Sequence, residues 1–482
     1  MTDSALTFTG ILPALPEIYL AAAICVLLMF DVFFGIKAPG RTATFALLLV
    51  VGGAAITAWT AQWGTTQLVF GGLYIADDLS TLLKLAAFLF VAVGIFYSNG
   101  YLARRGLQKG EYYVLTLTAL LGILVLGAAG NLLTVYIGIE LLSLSLYALV
   151  AFDRDNGIAA EAAMKYFVLG AIASGTLLYG MSLVYGLTGT LALGEIASRL
   201  TSEPSLGLIL GLTFIVVATA FKFGAAPFHM WVPDVYHGAP TSVTLLIATA
   251  PKIASFALAF RLLAQGLGPV SAEWTQMLAI IAVLSIALGN IVAIAQTSLR
   301  RMLAYSAIAN VGFILLGFVS GSIQGYQAAL YYTLAYVVMV LGAFGVMLLA
   351  SRDGFEADEL DHYKGLYARD PSLAVIMAVL MFSTAGIPPF VGFWAKLAVI
   401  QSLLGAGHVW LAAIAVLLSV IGAFYYLRVV WLMYFEAPGS LPTAIRRPAF
   451  RFVLGLNAAV VLAAGLFPDR LLELCRHVIL PG

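Results

Sequence analysis

Charge is what this chain has least of. Only 10% of its 482 residues are charged and 62% are hydrophobic, whereas a soluble domain carries about 25% charged residues. With mean hydropathy +1.03, the chain reads as an all-α integral membrane protein in a lipid bilayer. A net charge of +1 leaves no basic footprint for nucleic acid. Cysteine is nearly absent. Cys25 and Cys475 form no CxxC pair, cannot supply the four thiolates of an iron–sulfur cluster, and read as two buried apolar residues. There is no haem-like histidine pair, no glycine-rich phosphate loop, no Ser/His/Asp arrangement in an aqueous loop and no long polar segment. The start, Met-Thr-Asp-Ser, lacks the basic region of a cleaved signal peptide. The expectation is therefore a chain with no cofactor and no metal of its own.

What is present is apolar sequence in lengths that cross a bilayer, about 20 residues each. Fourteen spans are predicted, at 14–35, 42–61, 79–98, 112–129, 131–151, 158–187, 205–231, 240–262, 273–295, 301–320, 325–350, 371–404, 409–434 and 451–474. The loop holding Gly71-Gly72 and Asp77-Asp78 is read as a short hairpin. Loops after odd-numbered spans carry fourteen basic residues: Lys37, Arg41, Arg104, Arg105, Lys109, Arg154, Arg300, Arg301, Arg352, Lys364, Arg369, Arg446, Arg447 and Arg451. The other side carries four, Arg199, Arg261, Arg470 and Arg476. The positive-inside rule then puts odd-to-even loops in the cytoplasm and both termini outside.

Two spans contain helix breakers. Residues 221–231 read Phe-Lys-Phe-Gly-Ala-Ala-Pro-Phe-His-Met-Trp, and 383–396 read Ser-Thr-Ala-Gly-Ile-Pro-Pro-Phe-Val-Gly-Phe-Trp-Ala-Lys. Proline removes a donor and clashes with the preceding turn, so spans 7 and 12 are expected to break. The plainer reading is a pair of kinks with no transport role. Gly224-Ala-Ala-Pro-Phe228 matches Gly386-Ile-Pro-Pro-Phe390 at an offset of 162, and Glu161-Ala-Ala-Met-Lys-Tyr166 matches Gln327-Ala-Ala-Leu-Tyr-Tyr332 at 166. These predict two five-helix repeats, spans 4–8 and 9–13, inverted because five is odd, with ion sites at the interrupted helices. The expected parts are a three-helix segment at 1–110, the first repeat at 111–265, the second at 266–435 and a last helix within 436–482.

The positive charges divide by type. Five of eight lysines (Lys84, Lys165, Lys222, Lys252 and Lys396) lie inside hydrophobic stretches, while all sixteen arginines fall in loops or near helix ends. A charge at the bilayer centre costs about 2.5–3.5 kcal/mol on insertion scales and persists where it works or is paired. Lysine can lose its proton when buried and arginine cannot. Glu140 falls in mid-span 5, Lys222 just before the span 7 break, Lys252 after Pro251 in span 8, and Lys396 after the span 12 break. They are read as a titratable row, Glu140 and Lys222, then Lys252, then Lys396. Pro251 is expected to free a carbonyl for the Lys252 ammonium. Glu161 and Lys165 stand at i,i+4 in the favourable order, and His229 follows the span 7 break as a relay candidate. Against this stand static ion pairs and snorkelling lysines, the latter chiefly for Lys84 and Lys165.

The stretch Phe221-Lys-Phe-Gly-Ala-Ala-Pro-Phe-His-Met-Trp-Val-Pro-Asp-Val-Tyr-His-Gly-Ala-Pro-Thr-Ser-Val-Thr244 resembles the hallmark of the antiporter-like membrane subunits of respiratory complex I. Relatives of that family occur in multisubunit cation/proton antiporters and membrane-bound hydrogenases. The likeness covers about residues 110–430, and Glu140, Lys222, Lys252 and Lys396 fall on the family's charged positions. Of three paralogues, the largest has a long C-terminal lateral helix, not found in these residues, and the middle one has glutamate where Lys396 stands. The length, Lys396, Glu161 and Lys165 resemble the third. The resemblance implies a proton-pumping module in a bacterial inner membrane, packed against other membrane-arm subunits including a neighbouring antiporter-like one. NADH, FMN, iron–sulfur clusters and quinone would then belong to partner subunits. A sodium/proton antiporter subunit and a scaffold with static ion pairs are the competing readings.

Overall fold

The computed structural model describes residues 8–35, 39–352, 354–438 and 447–480; Lys37 and Arg446 of the charge count and the first residues lie outside these. Thirteen helices among the described residues are long and apolar enough to cross a membrane. They are span 1 (Leu12–Gly35), 2 (Gly40–Thr60), 3 (Asp78–Arg104), 4 (Gly110–Gly127), 5 (Leu132–Val150), 6 (Gly157–Thr188), 7 (Leu206–Phe223), 8 (Thr241–Gly266), 9 (Gly268–Ile294), 10 (Leu299–Val319), 11 (Ile323–Ala350), 13 (Val409–Phe435) and 14 (Pro448–Leu466). Span 12 is made of two shorter apolar helices, Pro371–Ala385 and Val391–Gly405, which completes the expected fourteen. Between spans 2 and 3 the expected hairpin is present, β1 (Gln67–Val69) pairing antiparallel with β2 (Tyr74–Ala76).

Helix starts follow capping chemistry. Asp77 and Ser80 form a capping box at span 3, and Asn131, Asn156, Ser205, Ser298, Ser322 and Asp370 accept first-turn amide hydrogens at spans 5, 6, 7, 10, 11 and 12. Spans 8, 10 and 11 form the core, their most apolar windows 94–100% buried, while spans 1, 2, 13 and 14 are only 22–33% buried. Helices apolar on every side suit both places, a protein core and a lipid-facing wall.

Three readings need correction. Span 14 does not run to 474. It ends at Leu466, and Pro468 opens a separate helix, Pro468–Ile479, because proline at a first turn starts a helix more readily than it continues one. That helix buries Cys475, Val478 and Ile479 and leaves Arg470 and Arg476 exposed. Cys25 is exposed on span 1, not buried. Arginine is not confined to the periphery: Arg261 is fully buried near the end of span 8. It is tolerated because Asp77 takes it bidentately at 2.7 and 2.8 Å and the last carbonyl of span 4, Gly127 O, accepts from it at 2.8 and 3.1 Å. Arg428, inside span 13, likewise donates to Ile294 O at the end of span 9, at 2.8 Å. Arg428 stands 167 positions after Arg261, and Ile294 stands 167 after Gly127.

Candidate functional site

Both expected breaks are present. Helix 206–223 ends at Phe223, with Gly224 in the left-handed region (φ 77°), and the chain resumes as helix Trp231–Gly238. The first half of span 12 ends at Ala385, with Gly386 at φ 87°. Each break contains a cis X–Pro bond, Ala226–Pro227 and Pro388–Pro389. A helix ending in the bilayer leaves carbonyls unpaired and the negative end of its dipole exposed.

A lysine meets each of those ends. Lys252 Nζ donates to Phe223 O at 2.8 Å, and Lys396 Nζ donates to Ala385 O at 2.8 Å and to Ser419 Oγ at 3.0 Å. The two acceptors are the last helical residues before the two αL glycines. Sequence reasoning placed the carbonyl for Lys252 in its own helix, freed by Pro251. The carbonyl belongs instead to the broken helix opposite, and span 8 itself is interrupted at Thr249. Glycine is favoured at 386 by its left-handed φ, and a Cβ there would also stand 2.9 Å from Lys396 Cδ.

Glu140 and Lys222, read as the first members of the row, do not touch. They are linked instead through a hydroxyl. Lys222 Nζ donates to Ser143 Oγ at 2.8 Å and Ser174 Oγ at 3.4 Å, and Ser174 donates in turn to Glu140 Oε1. Ser174 thus accepts from the ammonium while donating to the carboxylate, the arrangement a proton needs to cross without moving either charged group. Ser143 lies three residues after Glu140 on one helix face and was findable by that spacing; Ser174 had no sequence signal. Lys222 and Lys252 line one cavity of about 30 Å³ with Ser143, Ser255, Tyr166 and Trp231, enough room for water.

The other candidates lie apart from this row. Lys165 pairs with Glu161 at 2.9 Å as its spacing foretold, and with Asp234 at 2.8 Å, while Arg301 takes the other Asp234 oxygen at 3.2 Å. This half-exposed cluster ties span 6 to the second half of span 7 and to span 10, and none of these bonds reaches Lys222, Lys252 or Lys396. His229 is in the break, with its Nδ1 buried. Lys84 is not snorkelling. It is buried against Glu17 at 2.8 Å and Tyr74, a static pairing of spans 1 and 3 with the hairpin.

Two half-helices ending in the apolar interior, one capped by the buried Lys252 and the other by the half-buried Lys396, within a fourteen-span bundle, define an antiporter-like membrane subunit. Residues 129–422 match the family described as "NADH:quinone oxidoreductase/Mrp antiporter, TM". The chain is 53% identical over 470 residues to NADH-quinone oxidoreductase subunit N of Thiobacillus denitrificans, covering 97% of each. A chain of respiratory complex I from Thermus thermophilus, solved with bound aureothin, superposes with TM-score 0.81 at 33% identity, over 95% of this chain and 98% of that one. A chain of the Mrp complex from Dietzia shares the fold, with TM-score 0.84 at 21% identity over 97% of each. The chain belongs to the NADH-quinone oxidoreductase subunit N family.

Proposed function

We propose that this chain is the proton-translocating subunit N of the membrane arm of a bacterial NADH:quinone oxidoreductase. NADH oxidation and quinone reduction, with FMN and iron–sulfur clusters, take place in partner subunits, and this chain adds proton movement through Glu140, Lys222, Lys252 and Lys396. The observation that carries the reading is the pair of lysine-capped half-helix ends. A protonated Lys252 or Lys396 satisfies a carbonyl that no other described residue caps, so gain or loss of its proton alters the stability of the break itself. That links proton occupancy to conformation.

The order of events follows the contacts. Glu140 holds a proton on Lys222 through Ser174. When a partner subunit draws that negative charge away, the ammonium is left desolvated without compensation and releases its proton into the cavity shared with Lys252, and Lys396 carries it to the outer half. Glu161, Lys165 and His229 flank the cytoplasmic side of this path. The inverted five-helix repeat, 111–265 and 266–435, is part of the proposal. It is supported by the matching glycine caps and by the equally spaced Arg261–Gly127 and Arg428–Ile294 clamps. The chain is placed in the inner membrane, with its termini on the periplasmic side. A Mrp-type antiporter shares the fold, but the full-length relatives of high identity favour the oxidoreductase.

The test is Lys222→Ala in the assembled enzyme. Assembly should be kept and NADH-driven pumping should fall by roughly 10²-fold, the scale of a lost acid–base group. Near-normal pumping in well-assembled vesicles would leave the ion pairs as scaffold only.

A further inference from the structure

Where spans 3, 6 and 10 meet helix Trp231–Gly238, there is a polar vestibule of about 340 Å³ that the relay does not use. Its ionisable lining is Arg105, Asp153, His237, Arg300, Glu356 and Asp358. Glu356 is held at its base by Arg105 at 2.9 Å, Thr241 at 3.1 Å and Ser351 at 3.2 Å, and Arg300 by Asp358 at 2.9 Å. All of it lies on the arginine-rich side of the bundle.

Next to His237 in sequence, Tyr236 begins a set of tyrosines in the interior. Tyr236 and Tyr336 are fully buried, and neither phenol oxygen has a partner among the described residues. Tyr336 lies within electrostatic reach of the phenols of Tyr236, Tyr332 and Tyr426. Hydrogen bonds begin one turn away, at Tyr332. Tyr332, one turn before Tyr336 on span 11, donates to Asn310 Oδ1 at 2.7 Å. Asn310 Nδ2 donates to Tyr426 Oη at 3.1 Å and to Ser306 O at 2.8 Å. The ring of Phe313 stacks on Tyr332 at 5.7 Å with 5° between planes, and Lys396 Nζ stands 5.4 Å over the centroid of that same ring.

We propose that the vestibule is a second proton entrance, serving Lys396 directly through the hydroxyls of Tyr236, Tyr336 and Tyr332, with Asn310 orienting the Tyr332 hydroxyl and Phe313 as the barrier before the ammonium. Each hydroxyl accepts a proton on one side as it gives its own on the other, so no charge rests on the string, and rotation of the hydroxyls resets it. The free donor and acceptor positions on Tyr236 and Tyr336 are where water completes the path. Phe313 offers the proton a π face and no lone pair, so passage to Lys396 requires the ring to swing aside. The second half-channel would then fill from the same side as the first, rather than only through Lys252. This rests on Lys396 being a carrier as proposed above.

The test uses the assembled enzyme in membrane vesicles, with abundance checked on native gels. Tyr336→Phe and Tyr332→Phe each remove one oxygen and should slow NADH-driven proton uptake about tenfold, the rate equivalent of one lost hydrogen bond in the path. Tyr336→His, which still donates and accepts, should restore much of it. Tyr331→Phe is the control: Tyr331 is on the same helix, is fully buried and has an equally unpartnered hydroxyl, yet it faces Cys475 and Asp469. It should pump normally. Phe313→Ala should speed decay of an imposed pH gradient without NADH. Native pumping by both tyrosine variants while Lys396→Leu abolishes it would overturn the entrance and leave the relay standing. Equal losses from Tyr331→Phe and Tyr336→Phe would overturn it as well. Normal pumping by Lys396→Leu would bring down the relay first.

Discussion

A buried lysine and a buried arginine differ in one respect that matters here: only the lysine can give up its proton within reach of physiological pH. At position 252 the two side chains make opposite predictions. If Lys252 only caps Phe223 O, Lys252→Arg keeps a donor and a charge at the helix end and should restore most of the activity lost in Lys252→Met. If it carries protons, arginine should impair uptake nearly as much as methionine, by about 10²-fold. Comparing the two variants in one proton-uptake assay decides. Ser174 is tested in the same way. Ser174→Ala removes the hydroxyl between Lys222 and Glu140 and should slow turnover by about tenfold, the worth of one charge-assisted hydrogen bond at its lower end, whereas Ser174→Thr, which keeps the hydroxyl, should not. Equal rates for the alanine and threonine variants would place the Glu140–Lys222 coupling elsewhere.

At the scale of the element, the proposed function rests on the broken helices, and their glycines are where substitution is informative. Gly386 is left-handed and lies under Lys396, while Gly407 is also left-handed (φ 81°) but has open space around its Cα. Alanine at either position incurs backbone strain of about 1–2 kcal/mol. Only Gly386→Ala also pushes the Lys396 side chain off its carbonyl, so it should lose pumping while Gly407→Ala loses stability alone. Purified, assembled variants measured for both thermal stability and proton uptake separate the two effects. The breaks themselves were legible in the sequence because proline and glycine act through the backbone, and backbone rules are local. The same holds for the lysines, since a charge in an apolar run needs a reason. The acceptors were not legible. Phe223 O and Ala385 O are main-chain atoms with no side-chain signature, and Ser174 and Ser419 meet their lysines only through tertiary packing. Arg261 was misread for a related reason: its place near a span end looked peripheral, while its partner Asp77 comes from a loop 184 residues earlier. Burial alone would push the Asp77 carboxyl up, but the Arg261 guanidinium and the hydrogen bonds from Ser80 together more than offset that and hold it below the usual carboxylate range. This pair therefore stabilises the fold above the ordinary carboxylate pKa, and its contribution fades as pH falls through the lowered one. Arg261→Met leaves the half-buried Asp77 carboxylate with only its Ser80 hydrogen bonds and should cost about 3 kcal/mol, the low end for breaking a buried pair, read as a lower melting temperature of the purified enzyme.

For the whole molecule, the distribution of charge and of exposed apolar surface must agree with one placement in the membrane. The outer spans show the bilayer, or neighbouring subunits, large side chains such as Trp410 and Phe452 at 83% and 73% exposure, which in water would drive aggregation. With fourteen crossings, every loop after an odd-numbered span lies on one side, and the basic residues gather there. That side is predicted to be the cytoplasm, which puts both the Glu161–Lys165–Asp234 cluster and the polar vestibule where protons are taken up, and Arg261 with Asp77 where they leave. Accessibility of single cysteines in intact cells checks the placement, in a background with Cys25→Ala and Cys475→Ala. Lys109→Cys, exposed in the loop after span 3, should resist an impermeant thiol reagent until the cells are opened. Ser202→Cys, exposed in the loop after span 6, should react at once. The opposite pattern would invert the molecule: Lys396 would then lie on the uptake half, and the direction of the whole relay would have to be reversed with it.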